Sequence, residues 1–130
     1  MTDKEGDSPK VSVLVLNWNG CKDTVECLRS VEKIQYSNFE IVLIDNGSSD
    51  NSVETVQKEF SNVKIIRNSK NLGYAEGNNV GIKYALTNRS KYILILNPRE
   101  QMRNLPFCGK CRPWIFSFGV DSESCKYFFG

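Results

Sequence analysis

The residues best placed for chemistry follow an apolar run near the middle of the chain. Residues 41–44, Ile-Val-Leu-Ile, read as a strand covered on both faces, and Asp45 and Asn46 follow it at once. Ligands of open α/β sheets bind just outside the carboxyl ends of the strands, so a carboxylate there is well placed to accept a hydrogen bond from one. Asp45 with Asn46-Gly47 would equally suit a simple turn.

Other apolar runs end in the same way. The runs 11–16, 63–67 and 92–96 are followed by Asn17-Trp18-Asn19, by Asn68 and by Asn97, respectively. Turn formation explains any one of these polar positions. Four of them at one edge of one sheet predict a polar binding rim.

Helical patterns between these runs supply the elements that must position the rim. Apolar side chains recur every three or four residues over Cys21 to Val31, from Val53 to Phe60, and roughly from Tyr74 to Thr87. The resulting β-α-β-α-β-α-β order predicts a mainly parallel sheet with helices on both faces, a three-layer α/β/α fold. We expect one such domain over residues 10–98, after a polar segment at residues 1–9.

The third predicted helix carries glycines at a regular spacing. Gly73, Gly77 and Gly81 lie four residues apart, and a glycine inside a helix costs about 0.5–1 kcal/mol relative to alanine. Such a series is expected where the backbone packs closely against the sheet or against a ligand. The spacing is not that of the dinucleotide fingerprint GxGxxG. The buried positions expected on this helix are Ala75, Ile82, Ala85 and Leu86.

Composition excludes several classes of function. A formal net charge of +2 over 130 residues does not favour nucleic acid as a partner. The absence of histidine excludes Ser-His-Asp, Cys-His and histidine-rich metal sites, so a general base would have to be a carboxylate. No stretch has the apolar length of a signal peptide or membrane span, and the odd number of cysteines favours reduced thiols, so we expect a soluble cytoplasmic protein.

Four segments, VSVLVLNWNG, IVLIDNGSSDNSVE, NLGYAEGNNVGI and YILILNP, occur in an order and at spacings that resemble the family 2 glycosyltransferases, especially the rhamnosyltransferase-like branch. The resemblance covers about Lys10 to Pro98. It implies the GT-A nucleotide-diphospho-sugar-binding fold, which is Rossmann-like. It also implies a UDP- or dTDP-sugar donor, a glycan or lipid-linked acceptor, transfer with inversion, and at most peripheral association with the inner face of the membrane.

The resemblance assigns roles to single residues. Trp18 falls where the family has an aromatic near the base, although a core tryptophan is the alternative, and Asp45 matches the acid that accepts a hydrogen bond from the pyrimidine ring. Asn78 and Asn79 match an asparagine pair that either binds the donor or only caps or packs. The nucleotide-binding residues implied are Asn17, Trp18, Asn19, Asp45, Asn46, Ser48, Asn71, Gly73 and Asn78.

The metal motif departs from the family. This branch often has Asn-Pro-Asp after the fourth strand, whose acid holds a divalent cation, and the chain has Asn97-Pro98-Arg99. Arginine has no acceptor and cannot ligate Mg²⁺ or Mn²⁺, which leaves Asn97 as a weak candidate ligand. The alternative is that Arg99 pairs directly with the diphosphate.

Residues 99–130 carry no family motif and have poor periodicity. We expect a divergent tail that reflects a truncated or frame-shifted coding sequence, or else a genuine extension. Cys108, Cys111 and Cys125 would supply three zinc ligands but no fourth, and ordinary thiols are the alternative. Two hypotheses follow, an inverting glycosyltransferase domain and a catalytically inactive nucleotide-binding fragment, and position 99 favours the second. A flavodoxin-like or response-regulator-like module would need a phosphate loop or an acidic triad, and the sequence has neither.

Overall fold

The computed structural model describes residues 8–96 and 98, together with the backbone of residues 113–117. The elements in chain order are β1 (Val11–Asn17), α1 (Cys21–Val31), β2 (Phe39–Asp45), α2 (Ser52–Glu59), β3 (Val63–Arg67), α3 (Tyr74–Thr87), β4 (Tyr92–Leu96) and β5 (Pro113–Ser117). The predicted alternation of four strands and three helices is confirmed, and Asn17 and Asp45 are the last residues of their strands.

The strands form one sheet in the order β3-β2-β1-β4-β5. The first four are parallel to their neighbours, and β5 pairs antiparallel with β4. The predicted three-layer, mainly parallel α/β fold is therefore confirmed. Because β5 lies in the region expected to be a divergent tail, the sheet extends past the predicted domain boundary at residue 98.

Two apolar cores, one on each face of the sheet, hold the layers together. Alternate side chains of β1 and β2, such as Val13 and Leu43, pack with α1 and α2 around Leu28 and Val56. The other set of side chains on the same strands packs against α3 around Ile82. Of the cysteines in α1, Cys21 is half-buried and Cys27 is buried, and neither of the two forms a disulfide.

The glycine series of α3 has two explanations within one helix. A Cβ at Gly77 would lie 2.9 Å from Leu16 Cδ1, and one at Gly81 would lie 2.6 Å from Ile44 Cδ1, so these two glycines let the helix pack closely on the sheet. A Cβ at Gly73 would meet nothing within 4 Å, and what favours glycine there is instead a positive φ of 87°.

The prediction that Ala75 is buried is wrong, whereas Ile82 and Ala85 are buried as expected and Leu86 is half-buried. Gly77 lies over Leu16, close to the carboxyl end of β1. The turn that precedes Gly77 therefore lies beyond the sheet, and Ala75 has no core to contact. The carboxyl ends of the strands and the start of α3 thus lie together.

Candidate functional site

The parallel register brings the predicted rim residues to one edge of the sheet. Asn17 pairs with Asp45 across β1 and β2, and Asp45 pairs with Arg67 across β2 and β3. The backbone pairing continues one residue further, because Asn46 N donates to Asn17 O at 2.8 Å and Asn68 N donates to Asp45 O at 2.8 Å. We call this the carboxyl edge.

Asp45 ties the loop after β1 to the loop after β2. Its side chain is only 1% exposed. One carboxylate oxygen accepts from Asn17 Nδ2 at 2.8 Å, and the other accepts from Ser48 N at 3.0 Å. The hydroxyl of Ser48 in turn accepts from Asn17 Nδ2 at 3.2 Å and from Asn19 N at 2.8 Å. A buried carboxylate with both oxygens hydrogen-bonded fixes the two loops relative to each other.

The side-chain carbonyl of Asn17 holds the start of α1. It accepts from Gly20 N at 3.2 Å and from Thr24 Oγ1 at 2.7 Å. Thr24 is buried, and the sequence analysis did not single it out. The available sequence signal for its role was a hydroxyl residue, one turn into α1, next to the apolar positions of that helix.

Asn19 completes the connection between the two loops. Its backbone is in the left-handed region, with φ of 51°, which asparagine tolerates better than most residues. Its side-chain oxygen accepts from Ser49 N at 2.8 Å and from Asp50 N at 3.2 Å. Trp18 lies between the anchored Asn17 and Asn19 and is 46% exposed, so the alternative that it is a core tryptophan is wrong.

Asn46 organises the loop between β3 and α3. Its amide nitrogen donates to Asn71 Oδ1 at 3.0 Å and to Gly73 O at 3.1 Å. Its oxygen accepts from Asn68 Nδ2 at 3.1 Å and from Leu72 N at 3.0 Å. An amide side chain has two donors and two acceptor lone pairs, and these four bonds use all of them. In this structure the Asn46 side chain therefore has no donor or acceptor left for the nucleotide contact predicted from the sequence.

The loop ends at a preorganised start of α3. Gly73 is the N-cap residue, and its N–H donates to Asn71 Oδ1 at 2.8 Å. Gly47, with φ of 77°, packs against the same loop, because a Cβ there would lie 2.7 Å from the carbonyl carbon of Lys70. Tyr74 follows Gly73 and is 41% exposed. Trp18 and Tyr74 are the exposed large hydrophobic residues in the described part of the chain, and the sequence analysis gave Tyr74 no functional role.

The asparagine pair on α3 contains buried polar atoms that have no hydrogen-bond partner among the described residues. Asn78 is 0% exposed, and both polar atoms of its side chain lack a partner among the described residues. The side-chain oxygen of Asn79 also lacks one. A buried amide without partners costs about 1–3 kcal/mol per unsatisfied group, so it points to a partner such as a bound molecule.

The carboxylate of Asp50 has a perturbed pKa. Partial burial raises it, but hydrogen bonds donated by the hydroxyl and the backbone N–H of Ser52 outweigh that effect, and the pKa of Asp50 lies below its usual value. Ser52 N lies 3.0 Å from Asp50 Oδ1. This carboxylate therefore stabilises the start of α2 in its charged form.

The described residues do not fit a metal site. No group of three or more His, Cys, Asp or Glu side chains within residues 8–96 and 98 is placed to hold a metal ion. Asn97, Arg99, Cys108, Cys111 and Cys125 lie outside the described residues, so their proposed roles stay predictions. Two carboxylates at this edge, those of Asp45 and Asp50, are engaged in hydrogen bonds within the chain.

The carboxyl edge therefore has the properties of a binding surface. It offers two exposed aromatic rings, a buried amide without partners, and loops that hydrogen bonds hold in place. No described helix has the length and apolar character needed to cross a membrane.

Comparison with known proteins agrees with the sequence resemblance. The sequence model described as "Glycosyl transferase family 2" matches residues 12–98. The chain is 34% identical over 93 residues to the glycosyltransferase GlyG of Streptococcus pneumoniae. The aligned region covers 69% of this chain and 30% of GlyG. An uncharacterized glycosyltransferase of Rickettsia conorii is 36% identical over 90 residues, 68% of this chain and 14% of that protein. The chain thus spans less than a third of either relative.

Solved structures share the fold. TarS from S. aureus, residues 1–349 in complex with UDP-GlcNAc, superposes with a TM-score of 0.62 at 29% identity, over 68% of this chain and 26% of that one. The mannosyltransferase PcManGT from Pyrobaculum calidifontis, in complex with GDP-Man and Mn²⁺, superposes with a TM-score of 0.63 at 20% identity. The match covers 69% of this chain and 27% of PcManGT. The second similarity concerns the fold alone.

Proposed function

Since the chain belongs to glycosyl transferase family 2, we propose that residues 12–98 bind the pyrimidine nucleotide of a UDP- or dTDP-sugar at the carboxyl edge. The observation that carries this proposal is the exposed Trp18, which lies between two residues held by hydrogen bonds. The residue before it, Asn17, donates to the buried carboxylate of Asp45. A ring that is exposed but anchored is a platform for another flat ring. TarS, the relative crystallised with UDP-GlcNAc, supports a uridine nucleotide as the first probe.

Each member of the site has a distinct task in this proposal. Trp18 stacks on the base, which contributes about 1–3 kcal/mol per base in known complexes. Asp45 accepts the ring N–H of uracil or thymine with a lone pair that Asn17 and Ser48 leave unused, since a carboxylate offers about four such sites. Because Asp45 is 1% exposed, the loop at Ser48 has to move aside for this contact.

Other predicted site residues act mainly by holding the loops. Asn17, Asn19 and Ser48 position the loop that carries Trp18, and Asn46 and Asn71 position Gly73. Asn78 contributes an amide that can both donate and accept, and we assign its missing partners to the bound donor. A predicted cytoplasmic location, at most peripheral to the inner face of the membrane, is part of the proposal.

Sugar transfer is proposed for a longer protein of this type, to a glycan or lipid-linked acceptor and with inversion at the anomeric carbon. A divalent cation such as Mg²⁺ or Mn²⁺ would neutralise the leaving diphosphate there. The described residues supply no ligand set for such a cation.

The second candidate is a nucleotide-binding fragment without transfer activity. The internal hydrogen bonds of Asp45 and Asp50 favour it, because neither carboxylate is placed as a general base. We expect no turnover of radiolabelled UDP-GlcNAc, UDP-glucose or dTDP-rhamnose above the spontaneous rate, with Mn²⁺ and a panel of glycan and lipid-linked acceptors. Turnover that Asp45→Ala abolishes would instead assign transfer to this chain.

The binding proposal is tested by calorimetry with UDP. Trp18→Ala should weaken UDP binding about tenfold, a loss of about 1.4 kcal/mol, and Trp18→Phe should weaken it less because it keeps a ring. Asp45→Ala should cause at least the tenfold loss, together with lower stability. Unchanged UDP affinity in Trp18→Ala, in a variant that melts like the wild type, would contradict the assignment of the base.

A further inference from the structure

We propose that Tyr74 is a second aromatic platform of this site, which contacts the sugar of the donor. The inference rests on the proposed function and assigns a residue that the sequence resemblance left without a role. Its starting point is the location of exposed aromatic surface. Within the described residues, Trp18 and Tyr74 are the large hydrophobic residues that remain exposed, at 46% and 41%, and both lie at the carboxyl edge.

The backbone that carries Tyr74 is fixed before any ligand binds. Gly73 O accepts from Asn46 Nδ2 at 3.1 Å and from Gly77 N at 3.0 Å. Gly73 N donates to Asn71 Oδ1 at 2.8 Å, and Leu72 N donates to Asn46 Oδ1 at 3.0 Å. Hydrogen bonds therefore hold the residues that lead into Tyr74, and its ring is nevertheless left accessible. A preorganised aromatic lowers the entropic cost of binding.

The two aromatic residues lie at the starts of helices that pack on opposite faces of the sheet. Trp18 precedes α1, which packs on one face, and Tyr74 begins α3, which packs on the other. Between them run the polar side chains at the ends of β1 and β2, including Asn17 and Asn46. The edge thus presents an aromatic ring, a polar strip and a second aromatic ring.

A nucleotide-diphospho-sugar has the same order of chemistry. Its base and its pyranose both have faces that stack on aromatic rings, and a polar diphosphate separates them. Asp45 is hydrogen-bonded to Asn17, the residue before Trp18, so the pyrimidine N–H is satisfied at the Trp18 end. The sugar then falls to Tyr74, whose ring stacks on the C–H face of the pyranose.

The test compares nucleotide and nucleotide-sugar for each variant of the 130-residue chain. Calorimetry is run with UDP, UDP-GlcNAc, UDP-glucose, dTDP and dTDP-glucose. The sugar contribution is the dissociation constant of a nucleoside diphosphate divided by that of its nucleotide-sugar. Tyr74→Ala should reduce that contribution at least fivefold and leave UDP affinity within twofold of wild type. Trp18→Ala should weaken UDP and the UDP-sugars equally.

Tyr84→Ala is the matched control, because it removes the same ring from the same helix about 15 Å further along its axis. It should leave both affinities unchanged. The inference is wrong if Tyr74→Ala weakens UDP as much as the UDP-sugars, if it changes neither, or if no sugar improves on its nucleoside diphosphate in the wild type. If one of these outcomes occurs but Trp18→Ala still weakens UDP binding as expected, the proposed function stands and only the role of Tyr74 is wrong. If Trp18→Ala leaves UDP binding unchanged, the proposed function itself is wrong.

Discussion

Replacement of Asn46 by alanine should destabilise the protein far more than the loss of an ordinary surface amide. The side chain makes four hydrogen bonds, to Asn71, Gly73, Asn68 and Leu72, at 3.0 to 3.1 Å. At about 1 kcal/mol net for each bond, and with some rehydration of the exposed loop, the loss is about 3 kcal/mol. Asn46 is 2% exposed, so water does not readily replace all four bonds.

Urea unfolding followed by circular dichroism measures this loss, with an unchanged m-value as the sign that the unfolded state is unaffected. Asn71→Ala is the control, because it removes just one of the bonds to Asn46 and one bond to Gly73, from an exposed side chain. We expect about 1 kcal/mol for the control. If Asn46→Ala costs no more than Asn71→Ala, the four bonds do not hold the loop and the account of α3 positioning is wrong.

Three further predictions concern backbone packing and charge. Gly81→Ala should cost about 1–3 kcal/mol in urea unfolding, because its Cβ would lie 2.6 Å from Ile44 Cδ1; a neutral result would mean that α3 is not closely packed on the sheet. Gly47→Ala should lower the melting temperature by several degrees, because φ is 77° and the new Cβ would lie 2.7 Å from loop backbone; an unchanged melting temperature would show that this loop yields. Ser52→Ala should lower the melting temperature at pH 7, because it removes a hydrogen bond to the charged Asp50. The difference from wild type should shrink as the pH falls through the depressed pKa of Asp50, since protonation removes the stabilised charge; a difference that does not change with pH would contradict this.

The sheet was predictable from sequence because three of the four parallel strands, β1, β2 and β4, are apolar runs followed by a polar residue. The run that ends at Asp45 shows both features, and residues that are buried on both faces leave little freedom in strand assignment. β5 was not predicted, because its antiparallel pairing with β4 depends on residues far apart in sequence, and the periodicity around it is poor. Local pattern carries no information about such a pairing.

The site was predictable as a location and not as a set of contacts. The sequence placed Asn17 and Asp45 at one edge, but which amide bonds which loop depends on the register and on turns such as that at Asn19. The burial of Ala75 was predicted from helical spacing alone, which does not reveal where the sheet ends beneath α3. Tyr74 is exposed for the same reason, because the first turn of α3 extends past the end of the sheet.

The central claim is that the carboxyl edge binds a pyrimidine nucleoside diphosphate, and titration calorimetry of the 130-residue chain with UDP, dTDP, GDP and ADP tests it most directly. An aromatic such as Trp18 can stack on any base, so discrimination has to come from the acceptor at Asp45, which suits a base with a ring N–H, such as uracil or thymine, and not adenine, which has none. We predict that UDP and dTDP bind at least tenfold more tightly than ADP, and that Asp45→Ala removes most of this difference. Guanine has a ring N–H of its own, so the affinity for GDP measures how far the size of the base matters. Equal affinity for UDP and ADP in the wild type would contradict it.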